Sequence, residues 1–205
     1  MRNRKFPAIV FDLGNVLIPF DYNIAINKLN NIEQGLGNHF IEFYNSNYHI
    51  HRNFESGKIS KDEFLSTMLK AVNNKIDAET FCRIFSDIFI VNEDVVSLLP
   101  RLKNHYKLFL LSNTNSIHQK YGWQKYGFLN YFDKLILSHE VKSIKPEEKI
   151  YREVERQSNL PSSEHLYIDD IQEYVDAAIN IGWDAVKFVD YEKLVTDLKI
   201  RNILK

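Results

Sequence analysis

The stretch Ala8-Ile9-Val10-Phe11-Asp12-Leu13-Gly14-Asn15-Val16-Leu17 decides how the rest of the chain is read. Residues 8–11 are a short unbroken apolar run, the pattern of a fully buried strand. The run ends in a carboxylate, Asp12. A glycine follows two residues later, where the backbone can turn sharply and approach a ligand closely. In parallel α/β sheets, ligands sit beyond the carboxyl ends of the strands. A buried strand that delivers an aspartate to that edge is therefore a candidate active-site strand. Taken alone, Asp12 fits a turn cap just as well; three stretches further along decide between the two readings.

The chain has 205 residues, an ordinary apolar fraction of 44% and a net charge of -1. That is enough material for a sizeable core. The near balance of acids and bases gives no footprint for nucleic acid or for an acidic membrane surface. The single cysteine, Cys82, excludes an intramolecular disulfide and suits a reducing cytoplasm. The basic start at residues 1–5, followed by apolar residues, imitates a secretory signal. Asp12 interrupts that run, and no small-residue cleavage site follows. No stretch approaches the length of a membrane span. The expectation is a soluble cytoplasmic protein, a monomer or homodimer, whose partner is a small molecule.

From residue 21 to residue 91 the strand pattern disappears. Apolar residues recur at helical spacing instead, as in Phe64, Leu65, Met68 and Leu69, then Phe81, Ile84, Phe85 and Ile88. Ser60 and Glu63 have capping-box spacing, and Asp77 is placed to cap the helix that carries Phe81. Glu55-Ser56-Gly57-Lys58 reads as a turn. Roughly seventy residues thus form a helical insert directly after the first strand.

After residue 91 the pattern alternates. Asn92 caps a helix with Glu93 and Asp94 in its first turn. A second strand at residues 108–111 ends in Ser112-Asn113, and a helix carrying Tyr121 and Trp123 follows. Residues 135–137 form a third strand. Pro146 begins another helix, with Glu147 and Glu148 in its first turn. A fourth strand, residues 166–168, ends in Asp169-Asp170. The next helix stops at Gly182, a fifth strand runs over residues 185–189, and an amphipathic tail closes the chain. Such alternation predicts an α/β fold, a Rossmann-like parallel sheet with right-handed crossovers and helices on both faces. The division expected is core at residues 1–20, helical insert at 21–91 above the carboxyl edge, and core again at 92–205.

Three strands then end in residues suited to a cation and a phosphate: Asp12, Ser112, and Asp169 with Asp170. Lys145 lies in the loop after the third strand, before Pro146. Asp12, Asp169 and Asp170 bring about three negative charges to one place, and they cannot all stay ionised and close without a cation. Hard oxygen ligands with no His or Cys cluster point to Mg²⁺. Lys145, the Ser112 hydroxyl and backbone N–H groups after it can hold phosphate oxygens.

On these residues the chain resembles the haloacid dehalogenase-like superfamily, most of whose members are Mg²⁺-dependent phosphatases. The matching motifs occur in order: F-D-L-G-N-V-L at residues 11–17, L-L-S-N-T-N at 110–115, Lys145-Pro146, and Y-I-D-D at 167–170 with a downstream A-A-x-x-x-G. The helical insert fits the family's small cap domain. The runs S-N-T-N, D-L-G-N-V and F-E-S-G-K-I-S further resemble the branch typified by α-D-glucose-1-phosphate phosphatase. The resemblance implies that Asp12 is the nucleophile, forms an aspartyl-phosphate and binds Mg²⁺. It implies the Gly14 carbonyl and Asp170 as further metal ligands, with Asp169 in support. Ser112, Asn113, Lys145 and Gly14 surround the transferring phosphoryl group, and Lys145 offsets the charge of Asp12.

The sequence departs from the family pattern at two places. Most of its phosphatases carry a second aspartate, a general acid/base, at the position of Gly14. A positioned acid is worth roughly a factor of 100 to 10,000, so its absence favours leaving groups that depart unaided, such as anomeric, acyl or aryl phosphates. Tyr174 stands where the fourth motif often has Asn, which reads as a local packing change. His49, His51, Arg52 and Tyr48 in the insert read as the polar face of a helix. Cys82 and the aromatic stretch at residues 128–132 read as core. The expected function is a Mg²⁺-dependent phosphatase of a small phosphorylated metabolite, a sugar phosphate in particular. The alternatives are a non-catalytic phosphate-ester binder and a 2-haloacid dehalogenase.

Overall fold

The computed structural model describes residues 5–205, and all but the last residue of the basic start at 1–5 lies outside them. Five strands form: β1 (Ala8–Phe11), β2 (Lys107–Ser112), β3 (Lys134–Leu137), β4 (His165–Asp169) and β5 (Asp184–Lys187). They make one sheet in the order β3-β2-β1-β4-β5, with every pair parallel. The opening strand is thus the central one. Its register places Phe11 between Leu110 of β2 and Ile168 of β4. The three strands that carry candidate site residues therefore end side by side.

The helical insert between β1 and β2 comprises α1 (Tyr22–Ile32), α2 (Leu36–Ser46), α3 (Tyr48–Glu55), α4 (Lys61–Ala71) and α5 (Ala78–Ser86). Two short helices, α6 (Glu93–Val96) and α7 (Leu99–Lys103), lead into β2. Then α8 (Ser138–Val141) and α9 (Glu148–Ser158) connect β3 to β4, α10 (Gln172–Asn180) connects β4 to β5, and α11 (Tyr191–Ile200) closes the chain.

Successive strand side chains point to opposite faces. β1 accordingly sends Ile9 and Phe11 into one core and Ala8 and Val10 into another. The first core is completed by Val95, Leu99 and Leu102 of the α6–α7 segment and by Leu194 and Leu198 of α11. The second is completed by Ile150, Tyr151 and Val154 of α9 and Ala178 of α10. β1 is apolar throughout because both of its faces are covered. The insert buries its own cluster, in which Phe40, Phe54, Phe64, Phe81 and Phe85 pack together with Cys82.

Local chemistry accounts for the helix starts. Ser60 and Glu63 form a reciprocal capping box. Asp77 accepts from the Thr80 N–H, and Asn92 from that of Val95. Gly182, at φ +97°, ends α10 in a conformation that costs glycine little. Phe128 and Phe132 are core residues, as their sequence suggests.

Four expectations need correction. The helix near Pro146 starts at Glu148, because the Glu147 backbone is extended and its carboxylate is turned back onto Ser143 Oγ at 2.6 Å. The fifth strand ends at Lys187, where its register with β4 stops; Val189 is apolar but exposed. The segment with Tyr121 and Trp123 is a π-helical stretch, His118–Trp123. Gly122 lies within it, and a Cβ there would meet Phe89 at 2.7 Å and the Ser86 carbonyl at 3.0 Å. Close packing against the insert thus requires that glycine. Finally, the turn after Asp12 uses Asn15, at φ 54°, rather than Gly14, which lies outside the left-handed region. Asparagine tolerates that conformation better than most residues.

Candidate active site

The ends of β1, β2 and β4 bring Asp12, Ser112, Asp169 and Asp170 to one sheet edge, and the loop before α9 adds Lys145. Lys145 is 1% exposed. Its Nζ lies 2.7 Å from Asp12 Oδ1 and 2.6 Å from Asp169 Oδ2. A buried ammonium is tolerable only when it is paired in this way. The backbone of that loop is clamped as well. The Lys145 N–H donates to Asn113 Oδ1 at 2.7 Å. Its carbonyl accepts from Asn113 Nδ2 at 3.1 Å and from Arg52 Nη2 at 3.2 Å. The Lys145–Pro146 bond is cis.

The two adjacent aspartates differ in what they can still bind. Asp169 accepts from Lys145, from the Tyr167 hydroxyl and from the Ile171 N–H. It is fully buried. Asp170 accepts from Asn15 Nδ2 at 3.2 Å and lines the cavity. Ligand oxygens of Asp12, Asp169 and Asp170 lie within 4.8 Å of one another, and this is the one such metal-capable cluster among the described residues. The Gly14 carbonyl, which accepts from the Val16 N–H at 2.7 Å, keeps a second lone pair.

Charge is in excess here. Burial pushes the Asp12 carboxyl up to about 8, Lys145 opposes the rise, and Asp169 and Asp170 add to it. Burial also raises Asp170, with Asn15 opposing and Asp169 reinforcing. Burial works against the charge on Lys145, but Asp12 and Asp169 outweigh it and raise its pKa. Tyr167 is driven well above its usual range by burial and by both aspartates, so it stays a donor. One ammonium among three carboxylates leaves a net negative site, and the donor set is hard oxygen. These residues fit a small divalent cation.

A cavity of about 370 Å³ opens from this cluster toward the insert. Asp12, Ser112, Lys145 and Asp170 line its base. The candidate residues therefore come together, with one difference of role. The Asn113 side chain is committed to the Lys145 loop and to the Tyr174 hydroxyl, 3.3 Å away. Gly14 contributes backbone, and a Cβ there would stand 3.4 Å from the Phe20 ring.

The insert supplies what sequence reasoning set aside. His49 is exposed, but His51 is 4% exposed, and both His51 and Arg52 line the cavity. They are not a solvated polar face. His51 Nε2 lies 3.1 Å from Glu55 Oε1 and Arg52 Nη1 3.4 Å from Glu55 Oε2. Burial works against ionising Glu55, yet His51 and Arg52 outweigh it and hold the carboxyl below its usual value. The i, i+4 spacing of His51 and Glu55 was the available signal. Tyr174 was also underrated. Its hydroxyl bonds Asn113, and its ring lies 4.9 Å from Lys145 Nζ. It belongs to the site rather than to local packing.

A parallel sheet whose central strand ends in an aspartate, backed by a buried lysine and two more aspartates, defines a class of hydrolase. Residues 9–188 match the haloacid dehalogenase-like hydrolase family, and the chain belongs to it. It is 26% identical over 186 residues to a D-ribitol-5-phosphate phosphatase of Bacteroides thetaiotaomicron, covering 86% of this chain and 88% of that one. It is 23% identical over 188 residues to a pyrimidine 5'-nucleotidase of Escherichia coli, covering 87% and 84%. A crystal structure of a haloacid dehalogenase-family enzyme from B. thetaiotaomicron, in complex with magnesium and inorganic phosphate, superposes with a TM-score of 0.80 at 27% identity, covering 92% of this chain and 98% of that one. An L-2-haloacid dehalogenase from Xanthobacter autotrophicus shares the fold at 18% identity and a TM-score of 0.65. The sugar-1-phosphate branch is not singled out by these relatives. Among the described residues, no helix is long and apolar enough to cross a membrane.

Proposed function

We propose that the protein is a Mg²⁺-dependent phosphatase of a small phosphorylated polyol or sugar, working through an aspartyl-phosphate on Asp12. One observation carries the reading: a fully buried Lys145 bridges Asp12 and Asp169 at the end of the central strand, with Asp170 beside them and a cavity in front. Asp12, the Gly14 carbonyl and Asp170 would hold Mg²⁺, with Asp169 behind them fixing Lys145. When bound, Mg²⁺ neutralises the carboxylates and draws charge from the phosphoryl oxygens.

In the first step an oxygen of Asp12 bonds to phosphorus as the ester oxygen leaves with its electron pair. That oxygen takes a proton from water, because Gly14 offers no acid. Lys145 and Ser112 position the phosphoryl oxygens throughout. In the second step water attacks the same phosphorus and gives up a proton to solvent, the electron pair of the breaking Asp12–phosphorus bond returns to the Asp12 carboxylate, and inorganic phosphate leaves. Asp12 and Asp169, the latter held by the Tyr167 hydroxyl, keep Lys145 charged and aimed. The helical insert acts as a cap over the substrate's remainder. A reducing cytoplasmic setting belongs to the same proposal, consistent with one buried cysteine.

The relatives named above support a phosphate ester over a haloacid, since two of them are described as a phosphatase and a nucleotidase. The test is phosphate release from a panel of esters with Mg²⁺ and with EDTA, comparing wild type with Asp12→Asn. The expected result is release that needs Mg²⁺ and is lost in the variant. Binding of esters without release would leave the binder alternative standing.

A further inference from the structure

The backbone of Lys145 is held from two directions, and one of them is the insert. A carbonyl oxygen can accept two hydrogen bonds. The Lys145 carbonyl accepts one from Asn113 Nδ2 at 3.1 Å, just after β2, and one from Arg52 Nη2 at 3.2 Å, on α3 of the insert. The core by itself supplies the first donor. The second is in place only when the insert is seated.

Arg52 is fixed where it makes this contact. Its guanidinium presents the N–H groups in a rigid, permanently charged fork. One arm, Nη1, lies 3.4 Å from Glu55 Oε2, and the Arg52 side chain is 27% exposed. Glu55 is buried and is held in turn by His51. Burial works against the charge on Arg52, but Tyr174 and Glu55 outweigh it and raise its pKa. The other arm is thus a charged donor aimed at a main-chain oxygen, the kind of hydrogen bond that counts for most. Just beyond the end of α3 the insert meets the core again. The His139 carbonyl stands 3.1 Å from the place that a Cβ on Gly57 would take. Arg52 and Gly57 therefore seat the same part of the insert on the core.

From Arg52 the effect runs along named bonds. Arg52 and Asn113 hold the Lys145 backbone, and the Lys145 side chain reaches Asp12 Oδ1 at 2.7 Å and Asp169 Oδ2 at 2.6 Å. A shift of that backbone moves the ammonium. In an active site a misplacement of about 1 Å can cost roughly 100-fold in rate.

We infer that Arg52 is a positioning residue: it sets the backbone of Lys145, and through it the ammonium that holds the phosphoryl oxygens, so that the site is complete only with the insert seated. The inference rests on the phosphatase reading, in which Lys145 holds the phosphoryl group. It assigns Arg52 to the phosphoryl end of the substrate and not to the recognition of the rest of the ester.

The test uses Arg52→Met, which keeps the aliphatic stem and removes the donor. Arg52→Gln, shorter and neutral, serves if the first variant does not fold. Two esters are compared in Mg²⁺: acetyl phosphate, which carries only a two-carbon acyl group, and D-ribitol 5-phosphate. The variant is expected to lower kcat/KM about tenfold for both, the size of one hydrogen bond from a charged donor. Calorimetry with inorganic phosphate in Mg²⁺ reads the same ammonium without turnover, and phosphate should bind the variant about tenfold more weakly. A residue that only stabilises the fold would lower the melting temperature and leave the phosphate affinity of the folded protein unchanged. Unchanged phosphate affinity with unchanged turnover of acetyl phosphate overturns the role of Arg52 and leaves the phosphatase standing. A loss seen with D-ribitol 5-phosphate but not with acetyl phosphate also overturns it, since Arg52 then reads the rest of the ester. If wild type releases phosphate from neither ester, the phosphatase reading falls, and phosphate affinity still decides: a tenfold weakening keeps the positioning role, and equal affinity ends it. If wild type binds no phosphate at all, both fall.

Discussion

Two buried ionic networks line the cavity, and they are balanced differently. At the sheet edge, Lys145 faces Asp12 and Asp169, with Asp170 beside them, so negative charge is in excess. In the insert, Glu55 faces His51 and Arg52 and its charge is matched. The first network is built on strand ends held in register from both sides. The second lies on a helix of eight residues. The contrast teaches a division of labour. Excess negative charge calls for a cation, whereas the Glu55 network is satisfied by its own partners.

The sharpest way to break the comparison is Asp12→Asn. If the sheet-edge network does the chemistry, phosphate release falls by a factor of roughly 1,000 or more, read with any ester the wild type turns over. Loss of Asp12 with full activity retained would end the assignment.

Lys145→Met comes next. It removes both ion pairs and leaves two carboxylates buried together, at a cost of about 3–5 kcal/mol in EDTA. Thermal denaturation should also show a larger rise on adding Mg²⁺ than wild type does, because the variant site is one charge more negative. Equal Mg²⁺ responses would show that the cation binds elsewhere.

Glu55→Gln probes the balanced network and should cost less, roughly 1–3 kcal/mol. Its pH dependence has a definite sign. The Glu55 pKa is lowered on folding from its ordinary value of 4.5, so its contribution is present above that value and is lost as pH falls through the folded pKa. Denaturant titrations should therefore find wild type more stable than the variant at pH 6, with the gap closing below pH 4. A gap that widens in acid would contradict the pairing.

The smallest effect is expected at Tyr174→Phe. It removes the hydroxyl that bonds Asn113, which in turn clamps the Lys145 backbone. A loss of about 1 kcal/mol, up to about fivefold in kcat/KM, is the expected size for one neutral hydrogen bond. No change would place Tyr174 outside the Lys145 support.

Much of the sheet edge was legible beforehand because its residues follow strands whose apolar runs are short and unbroken. Asp12, Ser112 and Asp169 each stand at the end of such a run, and a strand end is a position that sequence marks. The insert was legible only as helices. His51, Arg52 and Glu55 show helical spacing, but spacing alone cannot say whether a polar stripe faces water or a cavity. Tyr174 sits in the first turn of α10, where an aromatic residue of the site and a packing residue look alike. The π-helical segment was read as an ordinary helix because its register depends on Gly122 meeting Phe89 and Ser86, which belong to a distant part of the chain.

By itself, then, the sequence determined the alternation of strands and helices, the position of the insert, and four carriers of charge: three aspartates at the strand ends and Lys145 in the loop before Pro146. Those features rest on local patterning, since hydrophobic period and capping chemistry act over a few residues. Only the tertiary structure decided that Lys145 is buried between two aspartates, that Asp169 is already committed while Asp170 opens to the cavity, and that His51 and Arg52 line the cavity rather than a solvated face. These depend on contacts between residues far apart in the chain, and on burial, which turns a solvated charge into one that must be matched.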